Sequence, residues 1–380
     1  MVLSNATGKT WSEWAGRLLH TFVEAACYSD NVRHLLKNDP VSALRRWHWE
    51  SDHVPKSLLP PSAEVSVTLN DETLLGPVAW RTGLNGEWLR QPQIRLVFAG
   101  AKPLGLIHGD ERSLTALACF VRSRNYFTLL SPHQFLPQSD SCKGGYSNRM
   151  RQVGNACAGS GAWRGLLIAA DEQTVLMAWL CQLFGWEGFL GRLLGYPLCC
   201  CEAFESRWPI AAASYEGDVG LMLLAQSASG AVEGVQDLEW TTNIFARYFG
   251  WEIIQHFPCR FDCPATTMLA HRYASVLLQY WPHDTQEILR HLSCPLLVTA
   301  DHGCGLFPGG RVTYESAGVS LHYDQKFVQF VGMGSKLTQH IASTSRLPVT
   351  KGGIWKGMDA NDSGWILNIR SIEGSGLGRQ

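Results

Sequence analysis

Two groups of cysteines are the residues of this chain that could bind a metal. The first group is three consecutive cysteines at 199–201, which follow a Gly-Tyr-Pro turn. The second group is Cys259 and Cys263, in the segment His-Phe-Pro-Cys-Arg-Phe-Asp-Cys-Pro that begins at His256. Thiolate sulfur is a soft ligand that selects zinc, copper(I) or iron–sulfur clusters. We therefore expect the two groups to meet and to hold a metal or an iron–sulfur centre.

Both groups are predicted to lie at the beginning of a helix. Pro197 comes just before the first group, and the residues after Cys201 favour a helix. Pro264 follows Cys263 and suits the first turn of a second helix. The amino end of a helix presents free amides and a partial positive charge. Both features lower the pKa of a thiol and favour the thiolate, which is the form that binds metal.

The expected ligands are Cys199, Cys200, Cys259 and Cys263, with one or both of the adjacent pair taking part. Zinc sites usually space paired cysteines two to four residues apart, which fits the second group but not adjacent cysteines. Iron–sulfur clusters accept ligands from separate segments, so a [4Fe–4S] cluster is the expected cofactor and zinc is the alternative. A radical-SAM cluster is rejected, because its third cysteine would fall on Thr266.

Two other interpretations of the cysteines stay open. Free cysteine is often a buried apolar residue, so both groups could belong to the core. Alternatively, the thiols could act without metal, as a nucleophile, a persulfide carrier or a redox pair. Cys201, the extra member of the run, and Cys304 are the candidates for that chemistry.

No catalytic residue is assigned, but four candidates have suitable chemistry. His256 lies three residues before Cys259, where it could be a ligand, a proton donor or a core histidine. Asp301, His302 and Cys304 follow a predicted strand in a glycine-containing turn. An acid, an imidazole and a thiol at the end of a strand suit acid–base or ligand roles, although a simple turn is an equal interpretation.

The composition indicates a compact globular protein. The chain has 380 residues, of which 46% are apolar and 17% are charged, and this length favours two or three domains. The net charge of −1 gives no indication of nucleic-acid binding or of attraction to an anionic membrane. The sequence leaves the oligomeric state open.

The sequence favours a cytoplasmic location. It has no apolar run near the ~20 residues that span a bilayer, and the N-terminus lacks the pattern of a signal peptide. In the cytoplasm the thiols of the twelve cysteines stay reduced. Clustered cysteines are then expected to be ligands or redox groups rather than disulfides.

The predicted fold class is mixed α/β, in four segments. They are a helical N-terminal segment at 1–60, an α/β domain at 61–185, a helical cysteine-rich domain at 186–295 and a small β-rich C-terminal domain at 296–380. Alternating elements in the second segment favour a partly parallel sheet covered by helices. The predicted strands there are 93–100, 104–108, 126–130 and 163–170, with helices at 113–124 and 172–184.

In the third segment, helices are predicted at 237–249 and 264–280, with a short strand at 251–256 between them. A further strand is predicted at 296–300, at the start of the fourth segment. The β-like pattern that follows predicts strands at 310–314, 319–323, 326–331 and 364–369.

The two cysteine segments resemble a prokaryotic protein family of unknown function. Its marks are Gly-Tyr-Pro-x-Cys-Cys-x-x-Phe and His-x-Pro-Cys-x3-Cys. Here they stand as Gly195-Tyr-Pro-Leu-Cys-Cys200, with Phe204 one place later than in the family pattern, and as His256-Phe-Pro-Cys-Arg-Phe-Asp-Cys263. The resemblance covers residues 193–273. It implies a cysteine-ligated, iron–sulfur-binding centre and supplies no substrate.

These observations predict an iron–sulfur protein, with an enzyme of small-molecule or peptide-modifying metabolism as the leading hypothesis. The expected partner is a small-molecule or peptide substrate, with no membrane and no nucleic acid. One alternative is a binding protein stapled by zinc without catalysis. The other is a metal-free, cysteine-based transferase or sulfur carrier.

Overall fold

The computed structural model describes residues 91–137, 150–153, 163–215, 217–227, 235–300, 303–316, 318–349, 355–356 and 363–370. The helical segment predicted for 1–60 lies outside the described residues, and so does the beginning of the predicted 61–185 domain. No helix within the described ranges combines the length and the apolar character that a membrane span requires.

Helices and strands are interspersed along the described residues, which confirms the predicted mixed α/β class. The α-helices are α1 Pro92–Phe98, α2 Glu111–Arg122, α3 Glu172–Phe184, α4 Glu187–Leu193, α5 Leu198–Ser214, α6 Val219–Ser227, α7 Pro264–Tyr280, α8 Pro282–Leu292 and α9 Ser335–Ser343. The strands are β1 Leu104–Asp110, β2 Phe127–Pro137, β3 Met150–Val153, β4 Trp163–Ala169, β5 Val235–Glu239, β6 Leu296–Thr299, β7 Cys304–Leu306, β8 Arg311–Glu315, β9 Gly318–His322, β10 Gln329–Val331, β11 Arg346–Val349, β12 Trp355–Lys356 and β13 Ser363–Arg370.

The first sheet has the strand order β1-β4-β2-β3, and each neighbouring pair is antiparallel. The expectation of a partly parallel sheet is therefore wrong for these strands. The sheet is antiparallel because β4 lies between β1 and β2 and is antiparallel to both. The two strands joined by α2 do point the same way, as in a split βαβ unit, but they do not pair.

The second sheet joins parts of the chain that are distant in sequence. Its order is β10-β7-β6-β13-β12. Strand β5 also pairs with β13, in parallel, at residues 366–370. Strand β5 comes from the predicted 186–295 segment and β13 from the predicted 296–380 segment, so the two segments share a sheet. The domain boundaries themselves stay a prediction. A third sheet, β11-β9-β8, is antiparallel.

Residues 93–98 belong to helix α1 and residues 99–100 form a turn, so the predicted strand at 93–100 is wrong. Ile94, Leu96 and Phe98 alternate as in a strand, but a short apolar run buried on every side does not distinguish a strand from a helix. Pro92 at the first helical position is the signal that favoured a helix. The buried Arg95 donates to Asp284 of α8 at 2.6 Å, which ties α1 to the helical region.

The helix predicted for 237–249 and the strand predicted for 251–256 are also wrong. The first region contains β5 followed by two short 3₁₀ helices, Trp240–Thr242 and Phe245–Phe249. Strand β5 forms because it pairs with β13, more than 120 residues later, and local periodicity carries no information about such a partner. Residues 251–256 have no regular structure.

The two helices predicted to begin at the cysteines are present. Helix α5 begins at Leu198, directly after Pro197. Helix α7 begins at Pro264, with Cys263 in extended conformation at the N-cap position. Helix α7 packs against α1, α8 and the 3₁₀ turn at Trp240–Thr242, inside the largest apolar core of the described residues. The second cysteine group thus precedes a packed helix, whereas α5 is mostly exposed and buries Cys200, Cys201 and Ala211.

Candidate metal centre

The two cysteine groups come together in the structure. The sulfur atoms of Cys199, Cys200, Cys259 and Cys263 all lie within 4.8 Å of one another. The Sγ of Cys199 is 3.9 Å from those of Cys200 and Cys263, and the Cys200 and Cys263 sulfurs are 3.8 Å apart. These four residues could hold a metal ion, and they are the four ligands that the sequence predicts.

The third consecutive cysteine points away from the centre. The thiol of Cys201 donates to the carbonyl oxygen of Tyr196 at 3.8 Å. It also packs on α4 at Gly191, where an added Cβ would lie only 2.8 Å from the Cys201 sulfur. Successive residues on a helix project about 100° apart, so three adjacent side chains cannot all face one point.

A tight turn brings the first turn of α5 to the site. Gly195 has a φ of +78°, which glycine adopts without steric cost. A Cβ there would also meet Pro103 Cδ at 3.0 Å and the Tyr273 hydroxyl at 3.3 Å. The glycine of the Gly-Tyr-Pro motif is therefore required both by its conformation and by its close packing.

The second cysteine segment is fixed by contacts from two other elements. Arg207 of α5 donates from Nη1 to the carbonyl oxygen of Cys259 at 2.6 Å. The Thr242 hydroxyl donates to the carbonyl oxygen of Phe261 at 2.8 Å. These bonds hold the backbone on both sides of the ligands.

Aromatic packing also joins the two motifs. The ring of Phe204, from α5, stacks on Phe257 with centroids 6.0 Å apart and on Trp208 at 5.4 Å. Phe204 thus packs against the second cysteine segment although it lies one place later than in the family pattern.

Hydrogen bonds converge on the Cys200 sulfur. The backbone amide of Cys259 donates to it at 3.3 Å, and the Thr266 hydroxyl lies 3.3 Å away. The same hydroxyl is 2.9 Å from Nε2 of His256. A hydroxyl has one proton, so Thr266 can donate to a thiolate only if it accepts from a protonated Nε2. We therefore assign His256 as a neighbour that orients Thr266 and not as a ligand.

The buried Nδ1 of His256 has no hydrogen-bond partner within the described part of the chain. Burial, together with the positive charge of Lys102, lowers the pKa of this imidazole to about 3, so the ring is neutral near pH 7. The ring lies against Tyr196, with centroids 5.0 Å apart.

The thiols differ in their readiness to ionise. Burial raises the pKa of Cys200, and it raises that of Cys259 to about 11, with help from Cys263. Burial acts the same way on Cys263, but hydrogen bonds from the Thr266 side chain and amide outweigh it, so the pKa of Cys263 falls to about 7. A bound cation would displace the remaining protons, because a coordinating thiol is deprotonated.

A buried polar group lies beside the centre, around Tyr196, and no sequence pattern predicted it. The Lys102 ammonium is 5.1 Å from the centre of the Tyr196 ring and donates to Gln93 Oε1 at 3.3 Å and to Gln255 Oε1 at 3.0 Å. Gln255 donates in turn to Glu252 at 2.5 Å. Burial lowers the pKa of Lys102 to about 7, against the opposing charge of Glu252.

Among the remaining catalytic candidates, the described Cys304 is not brought to the centre. Cys304 is buried in β7, and it is not one of the four clustered sulfurs. Burial and the nearby Asp218 carboxylate raise the pKa of the Cys304 thiol well above its usual value, which makes it a poor nucleophile. Asp301 and His302 lie outside the described residues. Of the two candidates that the structure describes, His256 lies close to the centre, one side chain away, and Cys304 is not among the clustered sulfurs.

Comparison of this chain with protein-family models, with curated proteins and with solved structures finds no match. The resemblance drawn from the two cysteine segments therefore stays a prediction. The arrangement of the site's own atoms is what remains: three thiols at the starts of two helices and a fourth, Cys259, in the segment before α7, with an inner side that has hydrogen-bond donors and an outer side that faces solvent.

Proposed function

We propose that Cys199, Cys200, Cys259 and Cys263 bind one tetrahedrally coordinated metal ion, with zinc as the preferred ion. The observation that carries this proposal is the spacing of the sulfurs. Ligands ~2.3 Å from a tetrahedral zinc ion lie ~3.8 Å from one another. The three measured pairs are 3.8 to 3.9 Å apart, and the remaining pairs lie within 4.8 Å.

The same spacing is less suitable for the [4Fe–4S] cluster that the sequence favours. In such a cluster each cysteine binds a different iron, so the sulfurs lie further apart than the edge of a single tetrahedron. The cluster remains the second candidate, because adjacent ligands and N–H to sulfur hydrogen bonds, both found at Cys200, occur around iron–sulfur clusters. The sulfurs of Cys199, Cys200, Cys259 and Cys263 would have to move apart to bind it.

Four thiolate ligands fill the coordination sphere of zinc, and filled sites are typical of structural zinc. In this proposal the ion joins the first turn of α5 to the start of α7 and stabilises this part of the fold. The protein then acts as a zinc-stapled binding protein of the reducing cytoplasm. Its proposed partner is a small molecule or a peptide.

Metal analysis of the purified protein tests this proposal. The chain is produced with both zinc and iron in the medium and purified without oxygen, and zinc, iron and acid-labile sulfide are measured. We expect one zinc per chain and no sulfide. Iron and sulfide in near-equal amounts would favour the cluster instead, and a metal-free protein would contradict both candidates.

Two variants locate the metal. The double variant Cys259→Ala/Cys263→Ala should lose it, because two of four ligands are gone. Cys201→Ala is the matched control, since this buried cysteine lies in the same run and points away from the centre. It should retain the metal in full.

A further inference from the structure

The four sulfurs of the centre are not equivalent in their access to solvent. Cys200 and Cys263 are 2% and 1% exposed, and Cys259 is half-buried. Cys199 is exposed, and its neighbour Leu198 is 52% exposed. A molecule arriving from solvent therefore meets the Cys199 sulfur first, beside an apolar side chain.

Hydrogen bonding adds to this asymmetry. The Cys200 sulfur accepts a hydrogen bond from the Cys259 amide and lies beside the Thr266 hydroxyl, and the Thr266 backbone amide donates to Cys263. Within the described residues, the Cys199 sulfur contacts the sulfurs of Cys200 and Cys263, each at 3.9 Å. Hydrogen bonds withdraw electron density from a coordinated sulfur and tune its metal site. Cys199 is thus the most accessible ligand and one without a hydrogen bond from an amide or hydroxyl in the described part of the chain.

We infer that Cys199, as a metal-bound thiolate, is a nucleophile that captures a soft alkyl electrophile. The sulfur lone pair forms a bond to the electrophilic carbon, and the bond from that carbon to its leaving group breaks. The leaving group departs with the electron pair, and no oxidant or reductant is needed. The product is a Cys199 thioether, while the three less exposed thiolates keep the metal. This inference rests on the proposed function, because the metal supplies the thiolate.

The exposed Leu198 gives a reason for an alkyl group in particular. An apolar group carried by the electrophile can contact the Leu198 side chain, which removes apolar surface from water. The metal supplies the other requirement. At pH 6 an ordinary cysteine is almost wholly protonated, whereas a coordinated thiol is a thiolate.

Alkylation of the zinc-loaded protein at pH 6 tests the inference. The zinc content is measured first, and the protein is then treated with one equivalent of iodoacetamide. Fragment mass spectra assign the label among the three consecutive cysteines, and a coloured chelator follows released zinc. Among the four ligands we expect Cys199 to react at least about tenfold faster than Cys259, with zinc retained.

The controls separate this inference from the proposed function. Cys119, a half-buried cysteine outside the centre, is the reference for an unligated thiol and should react more slowly at this pH. Cys199→Ser should abolish the fast reaction, and Cys201→Ser should leave it unchanged. A zinc-loaded protein that reacts first at Cys259, or loses zinc as fast as it is labelled, would overturn the inference alone. A protein without metal would overturn both.

Discussion

The cysteine centre and the polar group around Tyr196 lie on two sides of His256. They differ in how their buried polar atoms are stabilised. The centre brings four thiols within 4.8 Å of one another, so that they would repel one another once ionised. The polar group joins Lys102 to amide oxygens and, through Gln255, to Glu252. In the proposed function, an ion from outside balances the charge of these thiolates. The polar group is complete without one, at the cost of desolvating an ammonium group.

The largest effect should follow loss of an inner ligand. Cys263→Ala removes a buried sulfur that lies 3.8 to 3.9 Å from two others. Because metal binding is coupled to folding, the loss should lower the free energy of unfolding by several kcal/mol. Denaturant unfolding with and without a chelator measures this. A chelator should destabilise the wild type and leave the variant unchanged. Equal effects on both proteins would contradict metal binding at this centre.

The polar group should make stability depend on pH through Lys102. Its pKa is lowered from 10.5 to about 7 in the folded protein, since burial disfavours the charge. Between these values the unfolded chain holds a proton that the folded chain has released, so stability rises with pH. The rise should be on the order of a few kcal/mol and should be absent in Lys102→Met. Unfolding of both metal-loaded proteins at pH 7 and pH 9.5 measures it, and parallel curves would contradict the assignment.

A smaller effect should follow loss of the hydroxyl between the two regions. Thr266→Val removes the group that lies 3.3 Å from the Cys200 sulfur and 2.9 Å from His256. Loss of such an outer partner typically costs about 10–100-fold in metal affinity. Competition with a chelator of known affinity measures the change. Thr266→Ser keeps the hydroxyl and should bind nearly as well, whereas equal losses in both variants would assign the effect to packing.

The smallest effect should come from the cysteine that faces away. Cys201→Ala deletes one buried sulfur between α5 and α4, which should lower stability by about 1 kcal/mol. Metal affinity should not change. If the affinity does fall, Cys201 and Cys199 exchange places in solution, and the distinction between ligand and packing cysteine fails.

The four clustered cysteines could be predicted because short-range rules govern them. Pro197 and Pro264 mark helix starts, and a helix start next to a cysteine presents the thiol in a favourable place. The choice between Cys200 and Cys201 required the positions of Gly191 and Tyr196, which depend on how α4 packs. Spacing along the chain could not supply that.

The polar group and several elements could not be predicted for a related reason. Lys102 precedes Tyr196 by more than 90 residues and reaches it only because of tertiary packing. Strand β5 has its partner in β13, and α1 is a helix although its apolar residues alternate. The role of Thr266 could have been predicted from the sequence. It is the third residue after the helix N-cap, where amides and hydroxyls contact the capping residue.

The parallel pairing of β5 with β13 has a consequence for the order in which the molecule can be assembled during synthesis. Every ligand of the centre has been made once residue 263 is translated, whereas β13 begins 100 residues later. The ribosome therefore exposes a complete metal-binding set while the second sheet still lacks the strand that joins β5 to β6. Capture of the ion at that stage would hold the helices together until the last strand arrives.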